Sequence, residues 1–229
     1  MNETSFGNQT IAILGGTGNE GKGLAYRWLK AGIKVIIGSR TIEKAQTASD
    51  ELLGMLNGKA DVSAMTNMEA AKAADLIVVT VPYKVHAEMM KDIAPFCVGK
   101  IVVDVTVPLV PPKVTKLCVP DAGSAAQEAQ MILGEEVSVV SAFQNVSFEH
   151  LLNNEEINCD VLVCGKGKEA RNVVIDLVEK AGMLGWDAGP IENSIVVEGM
   201  TSILIGINKE YGVKSSGVRI SGVPGRSVL

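Results

Sequence analysis

A glycine cluster near the start of the sequence carries its clearest chemical pattern. Gly16, Gly18 and Gly21 stand at the spacing GxGxxG, directly after the short apolar run 10–14. Between a strand and a helix, glycines at these positions form a tight turn, leave bare backbone beside a pyrophosphate, and let the helix pack closely on the strand. The amides at the helix start then face the negative phosphates. The pattern predicts a dinucleotide-binding site.

A second polar group, about twenty residues further on, indicates which dinucleotide binds. Sites for NAD place a carboxylate at the end of the second strand, where it bonds the ribose 2′-hydroxyl. This sequence has Ser39 and Arg40 there, with Lys44 one turn into the next helix. A hydroxyl, a guanidinium and an ammonium bind a 2′-phosphate, which a carboxylate would repel. We therefore predict NADP; the alternative is an ordinary solvated helix start with Ser39 as its N-cap.

The remaining residues give little indication of acid–base or metal chemistry. The sequence has two histidines and no nucleophile-elbow motif. His86 follows a strand end and would either face the cleft or lie on the surface, whereas His150 is expected to be solvated. The four cysteines lack CxxC spacing, so we expect buried free thiols and no metal site. We predict no catalytic dyad, with Pro82 and His86 as cleft residues.

Apolar strands alternate with helical segments, and this order predicts how the polar groups are positioned. Continuous apolar runs predict strands at 10–14, 34–38, 61–64, 76–81, 100–105, 137–142 and 160–163. Helical spacing predicts helices at 19–31, 42–56, 86–93, 169–180 and 194–209. Such alternation is typical of right-handed βαβ crossovers. We expect an α/β fold, a Rossmann-type doubly wound parallel sheet with a small C-terminal helical or mixed region.

The bulk composition suits a globular protein and excludes several partner classes. Apolar residues make up 47% of the 229 positions and charged residues 21%, which permits a sizeable core. The net charge of −5 gives no reason to expect nucleic acid or an anionic membrane as partner. No apolar run approaches the ~20 residues of a membrane-spanning helix. The first residues also lack the features of a signal peptide, so we expect a cytoplasmic protein.

The chain is expected to divide into two unequal parts. Residues 1–150 would form the NADP-binding Rossmann domain, and 151–229 a smaller region that completes the substrate cleft and a dimer interface. The uncharged stretch between Glu198 and Lys209 indicates a buried or interface helix. After it come four basic residues against one acidic residue, a tail that would either bind an anion or remain solvated. The basic residues of this tail are Lys209, Lys214, Arg219 and Arg226.

A set of short blocks that match a known family runs in order along nearly the whole chain: 15–29, 37–40, 79–83, His86, 124–126, 140–142, 164–165, 187–190, 193–194, Glu198 and 204–208. In these blocks the sequence resembles the NADPH-dependent coenzyme F420 reductases, also called F420H2:NADP oxidoreductases. The glycine loop is shared with ferric-reductase-like and pyrroline-carboxylate-reductase-like proteins, whereas the combination GGTGN, GSR, DAGP and NS is more specific. Two departures concern the spacing from Pro82 to His86, one residue longer than usual, and Phe143, Gln144 and Asn145, where some members have a histidine.

The resemblance implies hydride transfer between C4 of NADPH and C5 of the deazaflavin F420, in a dimeric Rossmann protein. The cofactors carry this chemistry, so the protein must mainly position them. By the resemblance, the pyrophosphate is lined by Thr17, Gly18, Asn19 and Glu20, and the 2′-phosphate is bound by Ser39, Arg40 and Lys44. The nicotinamide would be bordered by Val81, Pro82 and the loop around Val107. The basic tail would face the phosphate and oligoglutamate chain of F420.

Two other functions fit the same residues. One is an NADP-dependent reductase of another small substrate, such as an imine or a ferric chelate. The other is a non-catalytic NADP-sensing module, in which the apolar segment 194–207 would contact a regulated partner.

Overall fold

A single eight-stranded sheet forms the centre of the computed structural model, which describes residues 9–153 and 156–224. The strands lie in the order β3-β2-β1-β4-β5-β6-β7-β8. They are β1 (Thr10–Leu14), β2 (Lys34–Ser39), β3 (Val62–Thr66), β4 (Leu76–Val79), β5 (Ile101–Asp104), β6 (Ser138–Ser141), β7 (Asp160–Gly165) and β8 (Leu184–Gly189).

The first six strands confirm the predicted Rossmann topology. All five pairings among them are parallel, in the order 3-2-1-4-5-6 that is typical of dinucleotide-binding folds. The strand β7 then pairs antiparallel with β6, and β8 pairs parallel with β7. The strands contributed by the C-terminal part of the chain therefore extend the same sheet rather than forming another one.

Helices cover both faces of the sheet, so the fold is doubly wound. They are α1 (Asn19–Lys30), α2 (Ile42–Met55), α3 (Asn67–Ala73), α4 (Tyr83–Ile93), α5 (Ala125–Leu133), α6 (Phe148–Leu151), α7 (Lys168–Lys180) and α8 (Ser194–Tyr211). Within the described ranges, no helix is long and apolar enough to cross a membrane.

Two hydrophobic cores lie on opposite faces of the sheet. Alternating residues of β1 divide between them, with Ile11 and Ile13 in one core and Ala12 and Leu14 in the other. The first core packs under α1, α2 and α7, and the second under α3, α4 and α5. Fully buried strands explain why the sequence shows continuous apolar runs rather than alternation.

Four elements were not predicted from the sequence: α3, α5, α6 and β8. The predicted strands and helices were otherwise found, with ends that differ by up to three residues. Among the cysteines, Cys97, Cys159 and Cys164 are buried free thiols, as predicted, whereas Cys118 is half-buried.

Candidate functional site

The glycine loop turns sharply between β1 and α1. Gly15 has φ +76°, a left-handed conformation that favours glycine. The backbone amide of Gly16 donates to the carbonyls of Ile13 and Gly38, at 3.2 and 3.0 Å, and thereby ties the turn to β2. Helix α1 then begins after Gly18, which has no side chain to cap it. Its first amides are therefore available to a phosphate.

The three motif glycines are required for different reasons. A Cβ on Gly16 would lie 2.8 Å from the carbonyl oxygen of Ile13, and a Cβ on Gly21 would lie 2.7 Å from Cα of Gly16. Close packing of the chain on itself thus requires both. Gly18 differs, because its Cβ would meet nothing nearer than a backbone oxygen at 3.5 Å. The fold alone does not require glycine there, which indicates that a bound group approaches at this position.

The predicted 2′-phosphate residues lie together at the end of β2. Ser39 is the last residue of that strand and is buried, whereas Arg40 and Lys44 are exposed. The N-cap of α2 is Thr41, so the alternative role of Ser39 as an N-cap is wrong. Among the residues that the structure describes, Arg40 and Lys44 form no ion pair with a carboxylate. Two cations are thus available to an anion at the strand end.

A cavity of about 410 Å³ opens beyond the carboxyl ends of the central strands. Its volume is within the range of small-molecule sites, and its position is where open α/β sheets bind ligands. Apolar residues from the loops after β5 and β6 and from α8 form most of its wall. The lining residues are Glu20, Val105, Val107, Leu109, 143–148, Thr201, Leu204, Ile205, Asn208, Lys214 and Ser216.

The residues predicted to border the nicotinamide occupy two neighbouring strand ends. Val107 lines the cavity, Val81 is buried, and Pro82 is the exposed N-cap of α4. Thr106 connects the two loops, because its hydroxyl donates to the carbonyl of Val81 at 3.2 Å. The loops after β4 and β5 are thereby held at a fixed separation.

Phe143 forms part of the cavity wall in a strained conformation. Its φ of +75° is left-handed, which costs a bulky residue about 1–3 kcal/mol. The ring is buried and packs edge-on against Trp28, with centroids 5.8 Å apart. Gln144 then connects this turn to its surroundings. Its side-chain Nε2 donates to the backbone carbonyl of Asp104 at 2.7 Å, and its backbone carbonyl accepts from the hydroxyl of Thr201 on α8, also at 2.7 Å.

Both histidine predictions require correction. His86 is fully buried, so its ring lies neither on the surface nor in the cleft. Burial alone would lower its pKa, but the adjacent Asp104 and Glu128 carboxyls raise the pKa above the usual value. His150 is half-buried rather than solvated, and its Nε2 lies 3.0 Å from the carbonyl of Ser215. Both rings are engaged in internal contacts that connect segments distant in sequence.

Two glutamates that the resemblance had included, Glu20 and Glu198, have environments that the sequence did not show. Glu198 of α8 accepts the amides of Ala125 and Ala126 at 2.8 and 3.1 Å and so caps the start of α5; burial raises its pKa to about 8. The carboxyl of Glu20 lines the cavity rather than only the phosphate loop, and its Oε1 is buried without a hydrogen-bond partner in the described chain. Burial also raises the pKa of Glu20 to about 8.

Hydrogen bonds hold the basic tail against the fold as far as Ile220, while the side chains of Lys209, Lys214 and Arg219 are exposed. Ser216 donates to Asn208 and Leu204 of α8, and the carbonyl of Val218 accepts from Asp160. Arg219 pairs with Asp160 at 3.2 Å, so its charge is already compensated within the chain. Lys214 lines the cavity, whereas Arg226 lies outside the described residues.

Comparison with known proteins agrees with this geometry. Residues 10–108 match the family model described as "NADP oxidoreductase coenzyme F420-dependent". An F420-dependent NADP reductase of Methanocaldococcus jannaschii is 42% identical, covering 92% of this chain and 97% of that protein. The chain belongs to the F420-dependent NADP reductase family. Another family member, from Methanothermobacter thermautotrophicus, is 36% identical, covering 93% of this chain and 95% of that protein.

Solved structures support the fold of this family member. A proposed F420-dependent NADP reductase from Arthrobacter sp. FB24 superposes with a TM-score of 0.77, covering 94% of this chain and all of that chain at 23% identity. An imine reductase from Aspergillus terreus gives a TM-score of 0.61 at 15% identity, covering 90% of this chain and 63% of that chain. These similarities concern the fold alone.

Proposed function

We propose that this protein transfers a hydride between C4 of NADP(H) and C5 of the deazaflavin coenzyme F420. The observation that carries the proposal is the cavity beyond the strand ends, which the glycine loop joins through Glu20. A pyrophosphate at the start of α1 directs the nicotinamide towards this cavity, where a second ring has room to stack. The membership of the chain in a family named for this reaction supports the same substrates.

In this proposal the protein acts by binding and orientation. The amides after Gly18 bind the pyrophosphate, while Ser39, Arg40 and Lys44 bind the 2′-phosphate. Thr106 holds the loops after β4 and β5 together, and Val81, Pro82 and Val107 border the nicotinamide. Holding two rings in contact removes much of the entropic barrier to transfer, because hydride transfer needs close approach of the two carbon atoms.

The apolar wall of the cavity excludes water from the reacting atoms. Phe143 and Val146 contribute from the loop after β6, while Leu204 and Ile205 contribute from α8 of the same chain. Excluding water strengthens electrostatic interactions in the site and prevents side reactions of the hydride donor. Residues 151–224 thus supply the helix that covers the cleft, the role proposed for the smaller C-terminal part of the chain.

The outer face of α8 fits the surface of a homodimer. Val196, Ile203 and Ile207 share one side of the helix and expose 65%, 62% and 38% of their surface. Contiguous exposed apolar residues of this kind mark protein interfaces. We propose that a second copy of the chain covers this face, and that the protein acts as a cytoplasmic dimer.

The deciding experiment measures F420 reduction by NADPH in anaerobic buffer. The deazaflavin absorbance should fall when NADPH is added, and NADH should be much less effective. An imine and a ferric chelate, tested as acceptors in parallel, should be reduced far more slowly than F420. Tight NADPH binding without turnover of any acceptor would instead identify an NADP-sensing module.

A further inference from the structure

Glu20 carries the one carboxyl among the described residues that line the cavity. It belongs to the first turn of α1, yet its side chain lines the cavity formed by the loops after β5 and β6 and by α8. Its Oε1 is buried and has no hydrogen-bond partner among the described residues. Buried polar groups are almost always paired, so an unpaired one at a binding site calls for a functional reason. A stable fold alone gives no advantage to this carboxyl over an apolar residue.

The surroundings of Glu20 favour the neutral acid over the carboxylate. Burial raises its pKa to about 8, because a charged group loses more solvation than a neutral one. The positive end of α1 favours the carboxylate, but a bound pyrophosphate at that helix end opposes it. Lys214 is the other titratable residue in the wall; the loops after β5 and β6, and α8, contribute none to it. At neutral pH the carboxyl therefore retains its proton.

The reaction needs a proton as well as a hydride. When C4 of NADPH gives its hydride to C5 of the deazaflavin, the C–H bond breaks with both electrons and NADP+ forms. The reduced ring must also gain one proton, and the reverse direction releases one. A neutral carboxyl beside the ring can supply this proton and recover it from solvent, as a general acid with a pKa near the working pH does.

We propose that Glu20 is the proton donor that accompanies hydride transfer, and the proton acceptor in the reverse direction. This inference rests on the proposed function, because it assigns a role at the same site. Its O–H bond breaks as the reduced ring gains the proton, which leaves a carboxylate until solvent protonates it again. The requirement for an acid with an unpaired oxygen in the cavity explains why a carboxyl stands where an apolar residue would pack as well.

The test compares Glu20→Gln with wild type and with Glu88→Gln. Glutamine keeps the size of the side chain and loses the titratable proton, while Glu88 is an exposed residue of α4. Single-turnover reduction of F420 by NADPH is followed across pH, together with the dissociation constants of both substrates. We expect Glu20→Gln to slow reduction on the order of 100-fold and to lose the pH dependence around 8, with both dissociation constants within about threefold of wild type. Glu88→Gln should behave as wild type.

A second readout does not depend on activity. Infrared difference spectra of the substrate-free protein, recorded as the pH is raised, should show a protonated-carboxyl band that disappears near pH 8. Burial also raises the pKa of Glu198 to about 8, so Glu198 adds to this band in every variant. The contribution of Glu20 is the part of the intensity that Glu20→Gln lacks and Glu88→Gln keeps. If Glu20→Gln folds poorly, Glu20→Leu replaces it in both experiments. Glu20→Leu should show the same loss of the infrared contribution and the same loss of rate.

The outcomes separate the inference from the proposed function. If wild type reduces F420 and Glu20→Gln does so with the same rate and pH profile, the role of Glu20 is overturned and the proposed function remains intact. A rate loss matched by equally weakened F420 binding would also overturn it, because Glu20 would then be a binding residue. Failure of wild type to reduce F420 would overturn the proposed function, while the infrared band would still decide whether Glu20 holds a proton.

Discussion

Nε2 of His86 lies 2.7 Å from Oδ2 of Asp104, and both side chains are fully buried. The pair joins α4 to the end of β5. Oδ1 of the same carboxylate accepts the amide of Thr106 at 3.0 Å, and Thr106 in turn bonds Val81. Gln144 donates to the backbone carbonyl of Asp104 from the other side. The ends of β4, β5 and β6 beside the proposed hydride-transfer site are thus linked by hydrogen bonds of Asp104 and Thr106.

Replacing His86 by leucine should destabilise the protein by about 3–5 kcal/mol, because Asp104 would be left as an unpaired buried charge. The raised pKa of His86 fixes the pH dependence: the stabilisation is fully present below the usual pKa of 6.5 and is lost as pH rises through the folded-state value. The difference in free energy of unfolding between wild type and variant should therefore become smaller in alkaline buffer. Urea unfolding at several pH values measures it.

The double variant His86→Leu/Asp104→Asn serves as the control for this prediction. It removes the unpaired charge and should recover part of the lost free energy of unfolding. An equal loss in the single and double variants would mean that packing around the imidazole, rather than the ion pair, stabilises this region.

The second prediction concerns cofactor choice. Arg40→Ala should weaken NADPH binding roughly 10- to 100-fold, the scale of one lost charge-assisted contact, and leave NADH binding nearly unchanged. Lys59→Ala, which removes an exposed cation beyond the end of α2, is the matched control. Fluorescence titration gives both dissociation constants. Equal losses for NADPH and NADH would contradict the assignment of Arg40 to the 2′-phosphate.

The third prediction separates glycines required by the ligand from those required by the fold. Gly18 has φ −73° and ψ 164°, an extended conformation open to any residue, and space for a Cβ. Gly18→Val should therefore fold with a nearly unchanged melting temperature and lose measurable NADPH binding. Calorimetry of the free and NADPH-saturated protein measures both properties.

Gly21→Ala is the contrasting variant. Its Cβ would lie 2.7 Å from Cα of Gly16 and 2.8 Å from Oγ1 of Thr80, so the helix must move away from the strand. This variant should be destabilised by about 1–3 kcal/mol even without NADPH. Near-native NADPH affinity in Gly18→Val would show that the loop does not bind the phosphates.

Sequence patterns predicted much of the fold because buried parallel strands show continuous apolar runs and α1 and α2 show helical spacing. The helix α3 was missed because it has only seven residues, although its capping box between Thr66 and Glu69 was a readable signal. The strand β8 was missed because its sequence LGWDAG contains a charge and three small residues. Short or mixed segments are strands or helices through tertiary contacts rather than local preference.

The site residues that lie close together in sequence were predictable, whereas those that folding brings together were not. The GxGxxG loop and the residues after β2 are contiguous, so spacing alone identified them. His86 and Asp104 pair across 18 residues through the packing of α4 on β5, which no local pattern shows. Likewise Glu20 and α8 line the same cavity only in the folded chain, so the sequence did not distinguish this carboxyl from a residue beside the phosphates.

The fourth prediction tests the proposed dimer. Ile203→Lys places a charge on the exposed apolar face of α8 and should shift the protein towards monomer in sedimentation experiments. Val98→Lys, which alters a residue 60% exposed in the turn before β5, should leave the mass unchanged. A dimer that persists in Ile203→Lys at low micromolar concentration would place the interface elsewhere.

The last prediction concerns the anionic chain of F420. Lys214 is exposed, lines the cavity, and follows α8 where the chain turns back, with its carbonyl held by Nδ2 of Asn208 at 3.2 Å. Lys214→Gln should raise the KM for F420 several-fold, leave that for NADPH unaltered, and reduce the effect of salt on F420 affinity, because screening acts on the charge that was removed.

Truncation before Ser215 is less suitable, since it also removes the contacts of Ser216 and Val218 with α8 and β7. Arg219→Gln is the better control: its guanidinium pairs with Asp160, so its loss should lower stability slightly and leave both KM values unchanged. An unchanged KM and salt dependence in Lys214→Gln would show that the anionic chain of F420 does not approach this lysine.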